Sequence, residues 1–452
     1  MKLLLVQPPT YSQFMDHVFV FEPLALEYLG AGARLDGHEV RLVDARLDPD
    51  VEGAAREFRP DVIGITAFTS QVNIARKLAA RLRELCPGAL LVIGGHHATV
   101  APGDFGGPEF DAVVIGEGVF TLRAIMAARE SGRSLREIRG IALPAGSGLE
   151  FTAPRPYTSL DDLPFPDRSL TAAYRDSYFS EWFKPLASIR TSLGCTARCT
   201  FCALWPITGG KYLRRNPDSV VAELAGIREP NVFFCDDESM CDARRMAVLA
   251  ERIRAAGIRK RYFIYARADT IARHPELFEQ WARIGLAQVF VGMEDYSDER
   301  LAAMHKGLST DQQREAVRIL HRLGIAIYAS FMVDPAYARG DFQALKRYIR
   351  ELKLRHATFT VMTPLPGTEL RAANESVLLS RKPELCDMLH ALLPTRLPIA
   401  EFYDQMARLW AEAIPLRRSL PLLLKFGLHG LPVRIKYFSA FLKQVRAYHL
   451  DY

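Results

Sequence analysis

Between Lys2 and Glu130, short apolar runs alternate with amphipathic stretches, and few folds accommodate that alternation. Runs at Lys2–Val6, Glu39–Val43, Val62–Ala67, Leu90–Gly94 and Ala112–Ile115 have the length and apolar character of buried strands. Leu24–Leu35, Val51–Phe58 and Val72–Leu85 lie between them with apolar residues at helical spacing, and Thr121–Glu130 follows the last strand. Strand and helix in this order predict an α/β domain over residues 1–145. Its sheet should be parallel and doubly wound, with ligands held outside the carboxyl ends of the strands.

Those ends are where the unusual residues gather. Arg46 closes Asp44-Ala45-Arg46, and Thr66, Ser70 and Gln71 belong to Thr66-Ala67-Phe68-Thr69-Ser70-Gln71. Gly94, Gly95 and His97 sit in Gly94-Gly95-His96-His97-Ala98-Thr99, and Gly116 and Glu117 in Gly116-Glu117-Gly118. Glycine lets a backbone approach a bulky ligand, and hydroxyls and amides bond its polar rim. Any one of these residues reads equally well as a turn former; five strand ends together predict a binding edge. No Gly-x-Gly-x-x-Gly follows the first strand, so a dinucleotide is disfavoured.

Residues 146–185 lose the periodicity. Pro154, Pro156, Pro164 and Pro166 argue for an extended crossing, with Tyr178, Phe179, Trp182 and Phe183 as packing residues. A strand-like run at Leu186–Leu193 then feeds Cys195-Thr-Ala-Arg-Cys199-Thr-Phe-Cys202, a loop opened by Gly194. Three of the chain's seven cysteines in eight residues do not make a disulfide framework; they point to metal ligation in a reducing compartment, the cytoplasm. Cysteines spaced x3 then x2 suit a [4Fe–4S] cluster whose fourth iron has no protein ligand. A zinc site borrowing a distant His, or buried free thiols, is the alternative on the motif alone.

Strand-like runs recur at Asn231–Phe234, Tyr262–Ala266, Gln288–Val291, Ile325–Val333 and Thr358–Met362, with helical patterns in each gap. Six strands are fewer than the eight of a closed barrel, so residues 186–375 read as a partial (β/α)6 barrel with its site at the strands' carboxyl ends. Residues 376–452 read as a helical region. There Arg417, Arg418, Lys425, Arg434, Lys436, Lys443 and Arg446 are interleaved with Leu420, Phe438, Phe441 and Leu442. That mixture fits peripheral contact with the inner face of a membrane, and equally an ordinary docking helix. The net charge of +6 is spread along the rest of the chain and gives no reason to expect nucleic acid.

The run Ile93-Gly94-Gly95-His96-His97-Ala98-Thr99, followed by Val114-Ile115-Gly116-Glu117-Gly118, resembles the cobalamin-binding domain ahead of many radical S-adenosylmethionine (SAM) enzymes. One departure matters: where the methionine-synthase type of that domain places a cobalt-ligating His, this chain has Arg46. Residues 185–375 resemble the radical SAM core. The resemblance implies that Cys195, Cys199 and Cys202 hold the cluster, that Arg267 and Glu294 help to hold SAM, and that the Pro364-Leu-Pro-Gly-Thr368 loop lies beside its adenine. Asp236 and Asp237 could serve the same site or simply cap the next helix.

Together the two resemblances imply a cobalamin-dependent radical SAM methyltransferase that methylates an unactivated carbon through a 5′-deoxyadenosyl radical and methylcobalamin. The implied cofactors are the [4Fe–4S] cluster, SAM and cobalamin, and the implied electron donor is a flavodoxin or ferredoxin. Phe233-Phe-Cys-Asp-Asp-Glu-Ser239, with Ile327-Tyr-Ala-Ser-Phe331, is similar to hopanoid C-3 methylases, which implies a small, apolar lipid substrate. The alternatives are methylation of an antibiotic, peptide or tetrapyrrole, or a non-methylating cyclisation or rearrangement.

Overall fold

A computed structural model describes residues 1–10, 18–146, 148–180, 183–413 and 430–452. Trp182, Arg417, Arg418, Leu420 and Lys425 lie outside the described residues, as does the side chain of Arg434. The chain forms two compact units, one of residues 1–194 and 203–233, the other of 195–202 and 234–452.

The first unit is built on a seven-stranded sheet. Strands β1 (Lys2–Gln7), β2 (Glu39–Asp44), β3 (Val62–Thr66), β4 (Leu90–Gly94) and β5 (Ala112–Val114) pair in parallel in the order β2-β1-β3-β4-β5. The sheet is doubly wound, as the alternation predicts. Helices Val51–Phe58 and Val72–Leu85 bury Ala55, Val72, Ala75 and Leu82 against one face. Helices Leu24–Leu35 and Val119–Ser131 bury Leu26, Ala33, Leu122 and Ile125 against the other. Strands β6 (Ile141–Ala145) and β7 (Gly148–Phe151) extend the sheet in antiparallel sense. Strand β7 thus lies within the stretch read as an extended crossing; four residues that open on Gly148 carry too little pattern to reveal a strand.

Farther along that stretch, Tyr178 and Phe183 are buried, and Phe179–Ser180 pairs with Phe19–Val20. A buried ionic network fixes the segment. Arg175 bonds Glu22 and reaches Glu229 at 2.5 Å, Arg168 reaches Glu223 at 2.8 Å, and Arg215 reaches Glu223 at 2.5 Å. Burial, reinforced by Glu22, pushes the Glu27 carboxyl up to about 8, so it holds a proton at neutral pH while Thr171 bonds it at 2.5 Å. Removing one partner of such a network strands the remaining charges without water. Arg175→Met is therefore expected to cost about 3–5 kcal/mol in a denaturant titration, whereas Glu27→Gln, which keeps a neutral group in place, should cost far less.

All six strands expected in the middle third are present. They are β8 (Leu186–Ile189), β9 (Asn231–Phe234), β10 (Arg261–Ala266), β11 (Leu286–Glu294), β12 (Ala326–Val333) and β13 (His356–Val361). In the second unit, β10 to β13 pair in parallel in chain order. Helices Pro275–Arg283, Thr310–Arg322 and Ile399–Ala413 pack on β11, β12 and β13 respectively. The C-terminal region is helical over Ile399–Ala413 and Gly430–Ala447. Among the described residues, no helix is long and apolar enough to cross a membrane.

Candidate cofactor and active site

Two groups of residues carry chemistry, one in each unit. The first is the carboxyl edge of β1 to β5. Gly95 has a φ of +97°, and a Cβ there would lie 2.4 Å from Thr66 Oγ1 and 3.0 Å from the Ala67 nitrogen. Only glycine lets the β4 turn close over the end of β3. Gly116 (φ +79°) donates its N–H to Thr99 Oγ1 at 3.1 Å, which ties the fifth strand end to the fourth. Thr66, Ser70, Gly94 and Gly116 are partly exposed along this edge, and Gly95 is exposed.

Four other residues expected at this edge are engaged inside the protein. Arg46 grips the buried Asp44 with both Nε (2.8 Å) and Nη2 (2.6 Å) and donates to the Phe21 carbonyl at 2.7 Å. Gln71 donates to the carbonyls of Pro8 (3.2 Å) and Pro9 (2.9 Å), lashing the β3 loop to the β1 end. His97 is fully buried, with Nδ1 3.1 Å from Thr69 Oγ1 and Nε2 2.8 Å from Asp104 Oδ2. Glu117 accepts from the N–H groups of Val119 and Phe120, at 2.5 and 3.0 Å, and so caps the following helix; burial raises its carboxyl above the usual range. These side chains shape the edge. On the same edge His96, the neighbour of His97, is partly buried, and its ring lies 5.8 Å from the exposed Phe68 ring.

The second group surrounds the cysteine loop. Its backbone is pinned by Thr200, whose N–H donates to the Met304 carbonyl (3.1 Å) and whose carbonyl accepts from Leu370 (2.9 Å). Arg198 adds an ion pair with Glu369 at 2.8 Å. Glu369 and Leu370 open the short helix Glu369–Asn374 that follows the Pro364 loop, so the start of that helix lies against the cysteine loop. Cys195 Sγ accepts from the Ala197 N–H at 3.4 Å, and burial pushes its thiol up to about 11.

Two cations oppose that burial. Arg267 bonds Asp269 Oδ1 at 2.9 Å and the Lys306 carbonyl at 2.5 Å; burial disfavours its charge, but Asp269, Cys199 and Cys195 outweigh that and raise it. Lys306 donates to Glu294 Oε1 at 2.5 Å. Burial lowers its ammonium, while Glu294 and Cys199 hold it above its ordinary value. Glu294 itself sits at φ +62°, a left-handed turn at the end of β11 that aims its carboxylate at Lys306. Glu238 is 2% exposed, and burial pushes its carboxyl up to about 7. Asp236 and Asp237 do not cap the next helix, because Asp242 does so by accepting from the Arg245 N–H at 3.0 Å.

Three partly buried thiols on a loop pinned from both sides, beside two fixed cations, suit a group that takes thiolates and carries net negative charge. Cys241 reaches the loop as well, its Sγ 3.6 Å from Thr196 Oγ1, and Lys306 is the residue that sequence reasoning did not bring there. Lys306 comes from a turn between two helices with no motif of its own.

The fold and the two sites define a class: a B12-binding domain followed by a radical SAM domain. Residues 17–126 match the B12 binding domain family and residues 189–349 the radical SAM superfamily. The hopanoid C-3 methylase of Methylococcus capsulatus is 30% identical over 394 residues, which cover 86% of this chain and 75% of that protein. The chain belongs to the cobalamin-dependent radical SAM methyltransferase family, with cobalamin, a [4Fe–4S] cluster and SAM as its cofactors. The anaerobic magnesium-protoporphyrin IX monomethyl ester cyclase of Cereibacter sphaeroides is 25% identical, covering 82% of this chain and 63% of its own length. The fold is also that of the radical SAM methyltransferase TsrM from Kitasatospora setae, with a TM-score of 0.71, 18% identity, and 91% and 88% of the two chains covered.

Proposed function

We propose that the protein methylates an unactivated carbon of a hopanoid or a closely related apolar lipid. The similarity to the hopanoid C-3 methylase, which runs through both the B12-binding and radical SAM regions, carries this reading. Cys195, Cys199 and Cys202 hold the cluster, with Arg267 and Lys306 as the positive charges beside it. Glu294, fixed by Lys306, receives the hydroxyls of the SAM ribose. Thr66, Ser70, Gly94, Gly95 and Gly116 receive cobalamin, the glycines by admitting it close to the backbone and the hydroxyls by hydrogen bonding; Arg46, Gln71, His97 and Glu117 hold those loops in place. When bound, the cluster and SAM supply a radical able to take hydrogen from carbon, and cobalamin supplies a methyl carrier. An unactivated C–H bond offers no acidity to a general base, so side-chain proton transfer alone would not reach it. The division into a cobalamin domain (1–145), a crossing (146–185), a radical SAM core (186–375) and a helical region (376–452) belongs to the same proposal. So do a flavodoxin or ferredoxin as electron donor and membrane contact through the C-terminal region.

Deleting the gene in its host and comparing lipid extracts tests the substrate. The expected result is loss of a methylated polycyclic lipid and accumulation of its form lacking one CH2; an unchanged lipid profile contradicts it. A separate expectation concerns cobalt. Arg46 is locked to Asp44 and both His97 nitrogens are engaged, so cobalamin should bind with no protein imidazole on the metal. Electron paramagnetic resonance of the Co(II) form should lack nitrogen coupling from a histidine, and such coupling would overturn the expectation.

A further inference from the structure

The sheet β10–β13 of the second unit has one face turned to its helices. Tyr262 packs on Trp281 of helix Pro275–Arg283, and Phe331 on Tyr348 of helix Arg339–Glu351, with ring centroids 5.7 and 6.5 Å apart. Side chains alternate along a strand, so Tyr265 and Tyr328, each three residues away from one of these, point to the opposite face. The register aligns Tyr265 with Phe290, Phe290 with Tyr328 and Tyr328 with His356. The three aromatic rings form a continuous row, with centroids 4.8 and 5.3 Å apart.

Two observations mark this row as a surface made for a ligand. The neighbours on the helix side, Val289, Val291, Ile327 and Ala329, are at most 5% exposed, whereas Tyr265, Phe290 and Tyr328 are only partly buried. Gln288 lies on the row's face, two residues before Phe290. It is 2% exposed, and its Nε2 donates to no hydrogen-bond partner. A buried amide donor is rarely left unsatisfied unless a water or a ligand completes it. Aromatic faces accept flat apolar surface, and a charged group laid on them would lose its water without a counter-charge.

We propose that this row seats the body of the substrate, a flat, uncharged polycyclic hydrocarbon bearing an oxygen, and that Gln288 Nε2 donates to that oxygen. The inference rests on the reading of the protein as a methyltransferase of apolar lipids and specifies which face holds the lipid. Equilibrium binding without reductant tests it, with a hydroxylated hopanoid and its hydroxyl-free counterpart presented in detergent micelles. The wild-type protein should bind the hydroxyl-free form ~10-fold more weakly, the worth of one well-placed hydrogen bond. Gln288→Leu, close to isosteric, should abolish that difference, and Tyr328→Leu should weaken both ligands by about 10-fold. Melting curves establish that each variant is folded, and the wild-type comparison stands without them. Equal binding of the two hopanoids by the wild-type protein overturns the proposal. So does tighter binding of magnesium-protoporphyrin IX monomethyl ester, which would assign the face to a tetrapyrrole. The expected binding pattern without any methylated product would keep this site and sink the reaction; methylation with unaltered affinity in both variants would keep the reaction and sink this site.

Discussion

Cys199→Ala is expected to remove the brown absorbance of the reconstituted protein and to reduce deoxyadenosine formation from SAM to background. The backbone of the cysteine loop is held by Thr200 bonding Met304 and Leu370, so the thiols are presented by a preformed turn. Arg267 and Lys306 place positive charge beside Cys199, which suits a cluster of net negative charge. Alanine at 199 keeps the turn and both cations but leaves an iron–sulfur cube held by two thiolates instead of three. Iron content, absorbance and deoxyadenosine should therefore fall together. Retained SAM cleavage in this variant would refute the assignment of the cluster.

Gly194→Ala is expected to do nearly the same damage without touching a ligand. Gly194 has a φ of +98°, and a Cβ there would come within 2.0 Å of the Lys211 carbonyl oxygen and 3.3 Å of the Tyr212 Cα. Both obstacles are backbone, so no side-chain rotation relieves them. The left-handed conformation adds about 1 kcal/mol or more of strain for any L side chain. The chain must move there, and the next residue is Cys195. Reconstitution should yield well under half the wild-type iron content, with the melting temperature lowered by several degrees. Wild-type iron content in a folded Gly194→Ala protein would show that the turn does not position the loop.

Much of this was legible in the sequence for a definite reason. Strands buried on both faces read as unbroken apolar runs, and helices of an α/β sheet carry one apolar stripe. Leu24–Leu35, Val51–Phe58 and Val72–Leu85 accordingly appear in the structure with the ends the pattern predicts. The cysteine spacing is local and was equally readable. What sequence could not supply was partnership at a distance. His97 looks like a ligand contact until Thr69 and Asp104 take both its nitrogens. Gln71 looks like a polar rim residue until Pro8 and Pro9 claim its amide. Lys306 carries no signal at all, because its role depends on a turn folding back to Glu294. The aromatic row was invisible for the same reason: Tyr265, Phe290 and Tyr328 become neighbours only through parallel register.

The central claim is that one chain uses SAM in two ways to add one carbon. Its most direct test is a stoichiometry: purified, reconstituted protein, reductant, SAM and a hopanoid, with SAM consumed and CH2 gained counted in the same reaction. The account predicts two SAM consumed for each CH2 added to the lipid, with deoxyadenosine among the products. SAM cleavage that leaves the carbon count of the product unchanged would contradict it and place the protein with the cyclising or rearranging members of its fold.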